Sequence, residues 1–205
     1  METIKEPMVE YGLAKRTHVG GGESGDLHVV CCNQNGILIA VIDGIGHGEE
    51  AAEAARTAGA LLQSSMDEPV ISLMERCHER LRGTRGAVLS VAFISPEQKM
   101  MTWIGVGNVQ GVLVRANGAS ANAQEPLLLR AGVVGSILPA LQASVLPVSR
   151  GDTVFFASDG IQSDFSTSLS GRENPQRAAD RILSLYRSGN DDALVLVARL
   201  TGINP

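Results

Sequence analysis

Two short apolar runs, residues 27–32 and 37–42, flank the dipeptide Asn35-Gly36, and nothing else in the chain constrains the fold as strongly. Asn-Gly tolerates positive φ at both central positions of a tight turn, so the runs are predicted to pair as an antiparallel hairpin. Three more β-type runs, 87–94, 100–106 and 109–115, are separated by Pro96-Glu97 and Gly107-Asn108, which suggests a meander. Further short runs follow at 127–129, 143–148, 153–157 and 193–200.

Helical spacing interrupts the strands in blocks. Between 49 and 66, Ala51, Ala55, Ala58 and Leu62 recur every three or four residues, predicting a helix whose small face lies close on a sheet. A second helix has Pro69 in its first turn and Val70, Met74, Cys77 and Leu81 on one stripe. A third spans 175–187, with Asn174 as its N-cap and Ala178, Ile182 and Leu185 as its apolar stripe. Consecutive strands with helices in blocks argue for an α+β fold, sheets covered by helices, and against βαβ alternation. The length of 205 residues suits one domain, 1–205. Its polar first 25 residues end in Gly20-Gly21-Gly22-Glu23-Ser24-Gly25 and read as an N-terminal arm or loop.

Composition removes several function classes. Hydrophobic residues at 44% and charged residues at 19% supply a core and exclude wholesale disorder, while 3% aromatics make that core aliphatic. The formal charge of −5 provides no basic face for nucleic acid. The apolar run 37–42 falls far short of the ~20 residues that a bilayer-spanning helix needs, and residues 1–17 contain no signal-peptide core. A cytoplasmic protein with no membrane partner is expected. Cys31, Cys32 and Cys77 neither build a disulfide framework nor have zinc-ligand spacing.

Four acidic motifs sit where apolar runs begin or end: Ser24-Gly25-Asp26, Asp43-Gly44, Ser158-Asp159-Gly160 and Asn190-Asp191-Asp192. An Asp-Gly pair after a strand is ordinarily a hairpin turn. Here Asp43-Gly44 leads instead into a helix, and Asp159-Gly160 into a polar loop containing Asp164. Both central motifs run strand, Asp, Gly, Ile, which puts carboxylates on strand ends where a sheet can hold them rigidly. Carboxylates brought together repel unless a cation compensates them. Oxygen donors select magnesium or manganese over zinc or copper, and the glycine after Asp43 would let a backbone carbonyl approach an ion. Two ions sharing Asp43 suit activation of water for in-line displacement at phosphorus, which is phosphoester hydrolysis without a covalent intermediate.

Taken together and in this order, the four motifs resemble those of the metal-dependent serine/threonine protein phosphatases of the 2C (PPM) type. Within them the chain is most similar to the bacterial sporulation stage II E branch, and its minimal length to the stressosome feedback phosphatases. The resemblance implies an αββα sandwich of two antiparallel sheets flanked by helices, with two Mn2+ or Mg2+ ions at one end. It implies that Asp43 bridges both ions, that the Gly44 carbonyl binds one, and that Asp159 and Asp191 complete the other. Asp26 would act through water or directly, and Asp192 ranks behind Asp191. The implied substrates are phosphorylated stressosome or anti-sigma-pathway proteins.

The chain departs from the family pattern at several positions. Ile45 stands where eukaryotic members carry a histidine. His47, two residues on, reads either as part of a helix's first turn or as a proton donor to the leaving alkoxide. Asn108 replaces the carboxylate that would serve a third ion, Leu194 replaces a hydroxyl residue, and Lys15 and Arg16 are the candidates for a phosphate-binding cation. Two rival readings compete with the phosphatase. One is a dinucleotide-binding turn at Gly44, Gly46 and Gly48, whose spacing is not G-x-G-x-x-G and beside which Asp43 would repel a pyrophosphate. The other is a non-catalytic binding module on a phosphatase fold, against which the clustered aspartates argue because unneeded ones would cost stability.

Overall fold

The computed structural model describes residues 8–18, 22–116, 123–189 and 191–203. Gly20, Gly21 and Asn190, drawn into the motifs above, lie outside the described residues. The chain runs through β1 (Val9–Arg16), β2 (Asp26–Cys32), β3 (Ile37–Gly44), α1 (Glu49–Ser64), α2 (Val70–Leu81), β4 (Ala87–Ser95), β5 (Met100–Val106) and β6 (Gln110–Val114). It continues through β7 (Gln124–Pro126), β8 (Leu129–Arg130), β9 (Ser144–Pro147), β10 (Thr153–Ala157), a 3-10 helix (Ser163–Ser168), α3 (Pro175–Tyr186) and β11 (Ala193–Leu200).

The strands form two sheets, ordered β2-β3-β4-β5-β8 with β9 also on β5, and β1-β11-β10-β6-β7. Every pairing is antiparallel except the short β5–β8 contact. Uninterrupted apolar runs become strands buried on both faces. From β3, Ile37, Ile39 and Val41 enter the layer between the sheets, whereas Leu38, Ala40 and Ile42 meet α1 and α2. From β11, Leu194, Leu196, Ala198 and Leu200 face the same central layer, and Ala193, Val195 and Val197 meet α3. The period-2 alternation of side chains thus builds three apolar layers, and the αββα sandwich expected of the resemblance is the architecture found.

Several local expectations are corrected. The opening segment is not an arm throughout, because residues 9–16 form edge strand β1, paired along its length with β11. β6 does not extend a meander from β5; it joins the other sheet beside β10, after Gly107 turns the chain at φ +99. Neither Asn35 nor Gly36 has positive φ. The four residues 33–36 close instead through the Asn33 side chain, which accepts from the N–H groups of Asn35 and Gly36. Gly36 is needed because a Cβ there would lie 2.4 Å from the Ile94 carbonyl oxygen. Pro69 occupies the cap position before α2. Leu185 is 64% exposed, since the buried face of α3 runs through Pro175, Ala178, Ala179 and Ile182, with Tyr186 packing where Leu185 was expected. Asn174 does cap α3, accepting the Arg177 N–H. The rival dinucleotide reading is not favoured, because β3, which leads into the glycine turn, pairs antiparallel with both β2 and β4. Among the described residues no helix is long and apolar enough to cross a membrane.

Candidate functional site

Asp26 opens β2 and Asp43 nears the end of β3, and the antiparallel register sets the two directly opposite each other. Like charges at such a cross-strand position are destabilising. The second sheet adds to the charge. Asp159 follows β10, Asp191 and Asp192 precede β11, and those strands are neighbours. All five aspartates line one cavity of about 160 Å3, together with Ile45, Gly46, His47, Val88 and Asn108. A larger, open groove of about 710 Å3 between α1 and α2 has Glu53 as its one carboxylate and holds no comparable cluster.

Short hydrogen bonds fasten the acidic side chains in place. The Ser158 hydroxyl donates to Asp26 Oδ2 at 2.7 Å and accepts the Leu194 N–H at 2.9 Å. Asp192 accepts the His18 N–H on Oδ1 and the Gly25 N–H on Oδ2, both at 2.7 Å. Asp191 Oδ1 accepts the Asp192 N–H at 2.9 Å, and Asn108 Nδ2 donates to Asp159 Oδ2 at 2.9 Å. The glycine after each central aspartate is dictated by packing: a Cβ on Gly44 would stand 2.0 Å from the Ala51 carbonyl oxygen, and one on Gly160 2.0 Å from that of Asp192. Gly44 itself is buried behind the cavity rather than lining it.

Burial and mutual repulsion disfavour the ionised carboxylates. Asp43 is pushed up to about 8, first by burial and then by Asp26, Asp159, Asp191 and Asp192. Asp26 is pushed up to about 7 by burial, with Asp192 and Asp159 adding to the rise and the Ser158 hydrogen bond opposing it. Asp159 is also raised, by burial and then by Asp191, against the opposing Asn108 contact. Among the described residues no three His, Cys, Asp or Glu side chains stand in ready coordination geometry.

Of the remaining sequence candidates, His47 lies at the cavity lip, one residue before the N-cap Gly48 and so outside α1. Neither Lys15 nor Arg16 lines the acidic cavity; the Lys15 ammonium donates to the Asp26 carbonyl oxygen at 2.6 Å. Leu194 is fully buried between the sheets. Sequence reasoning missed His18, whose ring stacks on His47, and the inter-sheet role of Ser158. Ser158 was at least adjacent to a motif aspartate. No pattern in the sequence marks His18.

Residues 33–201 match the model of a protein family described as stage II sporulation protein E (SpoIIE). The phosphoserine phosphatase RsbX of Bacillus subtilis (strain 168) is 25% identical over 178 residues, covering 86% of this chain and 87% of that protein. A chain from a solved structure of the bacterial stressosome, described as a modular system adapted to control secondary messenger signalling, is 32% identical with a TM-score of 0.84. The match covers 94% of this chain and all of the other. The crystal structure of RsbX in complex with magnesium superposes with a TM-score of 0.83 at 22% identity, covering 94% and 96% of the two chains. With the family's model matching residues 33–201, most of this chain, the chain belongs to the SpoIIE family.

Proposed function

We propose that the acidic cavity holds two Mg2+ or Mn2+ ions and that the chain uses them to dephosphorylate phosphoserine or phosphothreonine on bacterial stress-signalling proteins, with stressosome or anti-sigma-pathway proteins as substrates. The chain is a metal-dependent serine/threonine phosphatase of its family, and the observation that carries this reading is the convergence of five aspartates from both sheets on one cavity. The donor set fits hard divalent cations, because every charged donor is a carboxylate oxygen and the buried members resist ionising without a compensating charge. When bound, such ions activate water for in-line attack and draw negative charge from the phosphoryl oxygens.

The chain's own residues divide the remaining work. Asp43, opposed by Asp26 and lining the cavity with Asp159 and Asp191, would be the ligand shared by the ions, and the carbonyl of Gly44, which does not itself line the cavity, would be a further donor. Asp159 and Asp191 would hold the second ion, with Asn108 fixing the orientation of Asp159. Asp192 ranks behind them because both of its oxygens already accept backbone N–H groups. Asp26 is aimed by Ser158 and acts directly or through water. His47, at the lip, donates the proton that the leaving seryl oxygen requires.

Manganese-dependent release of phosphate from a phosphoserine peptide tests the reading, with Asp43→Asn as the paired variant. Turnover by the wild type, abolished by chelation and by Asp43→Asn with the fold intact by circular dichroism, is the expected result. A wild type that binds phosphopeptide without turning it over would make the chain a non-catalytic module and sink the proposal.

A further inference from the structure

His18 follows β1 and lies outside every motif that the function absorbs, six residues before Ser24-Gly25-Asp26. Its imidazole stacks on that of His47, with ring centroids 5.4 Å apart and planes inclined by 20°. The two rings line a cavity of about 500 Å3 with Asp159, Ser188, Gly189 and Asp191. This space adjoins the acidic cavity and shares His47, Asp159 and Asp191 with it.

The two histidines are held very differently. His18 is anchored at its main chain, where its N–H donates to Asp192 Oδ1 at 2.7 Å, two residues beyond a strand paired in full with β11. His47 lies between Gly46 and Gly48, both at positive φ, in an exposed turn that supplies little rigidity of its own. An imidazole on a glycine-rich turn therefore stacks on one whose main chain is tied to Asp192, just before β11. A functional group holds useful geometry only when neighbouring packing locks its rotamer.

We propose that His18 is a positioning residue, whose ring backs the His47 imidazole and holds it at the mouth of the acidic cavity. This rests on the phosphatase reading. In the step concerned, the attacking water oxygen bonds to phosphorus while the bond from phosphorus to the seryl Oγ breaks. The electron pair stays on Oγ, the protonated His47 ring passes one N–H proton to it, the proton shed by the attacking water goes to solvent, and solvent reprotonates the ring. A seryl alkoxide leaves poorly without that proton, whereas an aryl oxide leaves far more readily, so the stack matters most for phosphoserine.

The test measures kcat and KM with manganese for the wild type, His18→Ala, His18→Phe, His47→Ala and the double alanine variant, on a phosphoserine peptide and on p-nitrophenyl phosphate. Loss of the stack is expected to lower kcat on the peptide by at least about tenfold, with KM within about twofold, and to exceed the loss on the aryl phosphate by about tenfold. His18→Phe, which keeps a flat ring and no ring nitrogen, restores kcat to within about threefold. The double variant is no slower than His47→Ala alone. Equal impairment of His18→Phe and His18→Ala, equal losses on both substrates, or unchanged peptide turnover in His18→Ala would each overturn the positioning role alone. A wild type inactive on both substrates overturns the phosphatase reading and this inference with it. Thermal melts of each variant separate these outcomes from misfolding.

Discussion

Ser158 Oγ reaches across the sandwich to Asp26 Oδ2 at 2.7 Å, so the start of β2 in one sheet is tied to the end of β10 in the other through a fully buried hydroxyl. The same oxygen accepts the Leu194 N–H. Ser158→Ala strands a buried N–H and frees the Asp26 carboxylate, at a cost of about 1–3 kcal/mol. At about 2–4 °C per kcal/mol for a chain of this size, calorimetry should record a Tm lower by several degrees. Asp26 also loses the contact that opposes its rise, so manganese titrations should show weaker binding near neutral pH.

The metal-free protein should lose stability as the pH rises. An unfolded aspartate ionises near 3.8, whereas in the folded chain Asp26 holds its proton to about 7 and Asp43 to about 8. Across that window the folded state binds more protons than the unfolded state, so stability falls with increasing pH until both groups are ionised. Melting in a chelator from about pH 5 to about pH 8 should show a declining Tm. Saturating manganese, which competes with those protons, should abolish or reverse the slope. A chelated protein whose Tm climbs over this range would contradict the assignment.

Asn108→Asp replaces a donor to Asp159 by another carboxylate. The expected outcome is a lower Tm in chelator at about pH 8 and a larger stabilisation on adding manganese than the wild type shows. Identical thermal shifts in the two proteins would mean that Asn108 does not bear on the charge of the cavity.

Gly160→Ala would drive a Cβ to 2.0 Å from the Asp192 carbonyl oxygen, whereas a Cβ on Gly83 meets nothing within 4 Å. Because backbone must shift, the former should cost at least the upper end of the about 1–3 kcal/mol typical of overpacking. Gly83→Ala, strained only by its φ of +83, should cost about 1–2 kcal/mol. Denaturant melts of the two variants give the ranking, and the reverse order would mean that the loop at Gly160 yields more readily than its packing implies.

The parts of the fold that could be read in the sequence carried their signal locally. β10 and β11 begin and end where their apolar runs do, and Val70, Met74, Cys77 and Leu81 form the buried stripe of α2 as their spacing requires. β1 was hidden because it is an edge strand of mixed polarity whose partner lies at the far end of the sequence, joined only by tertiary pairing. Gly12 within it, which reads as a strand breaker, is where Pro175 and Gln176 press too close for any side chain. The change of sheet at Gly107 has no signature in the sequence, because a glycine between apolar runs signals a turn but not its direction. The acidic motifs could be found, since each is a short word at the end of a run. His18 could not, because its partner is 29 positions away and neither residue's neighbours repeat at any structural period.

The aspartates hang from strand ends of both sheets, so an ion seated among them would rivet the sandwich through its open end. A cell short of divalent cation would then hold a looser molecule, readier to breathe apart and be cut by proteases. Ion supply would set how long each copy survives as well as how fast it works.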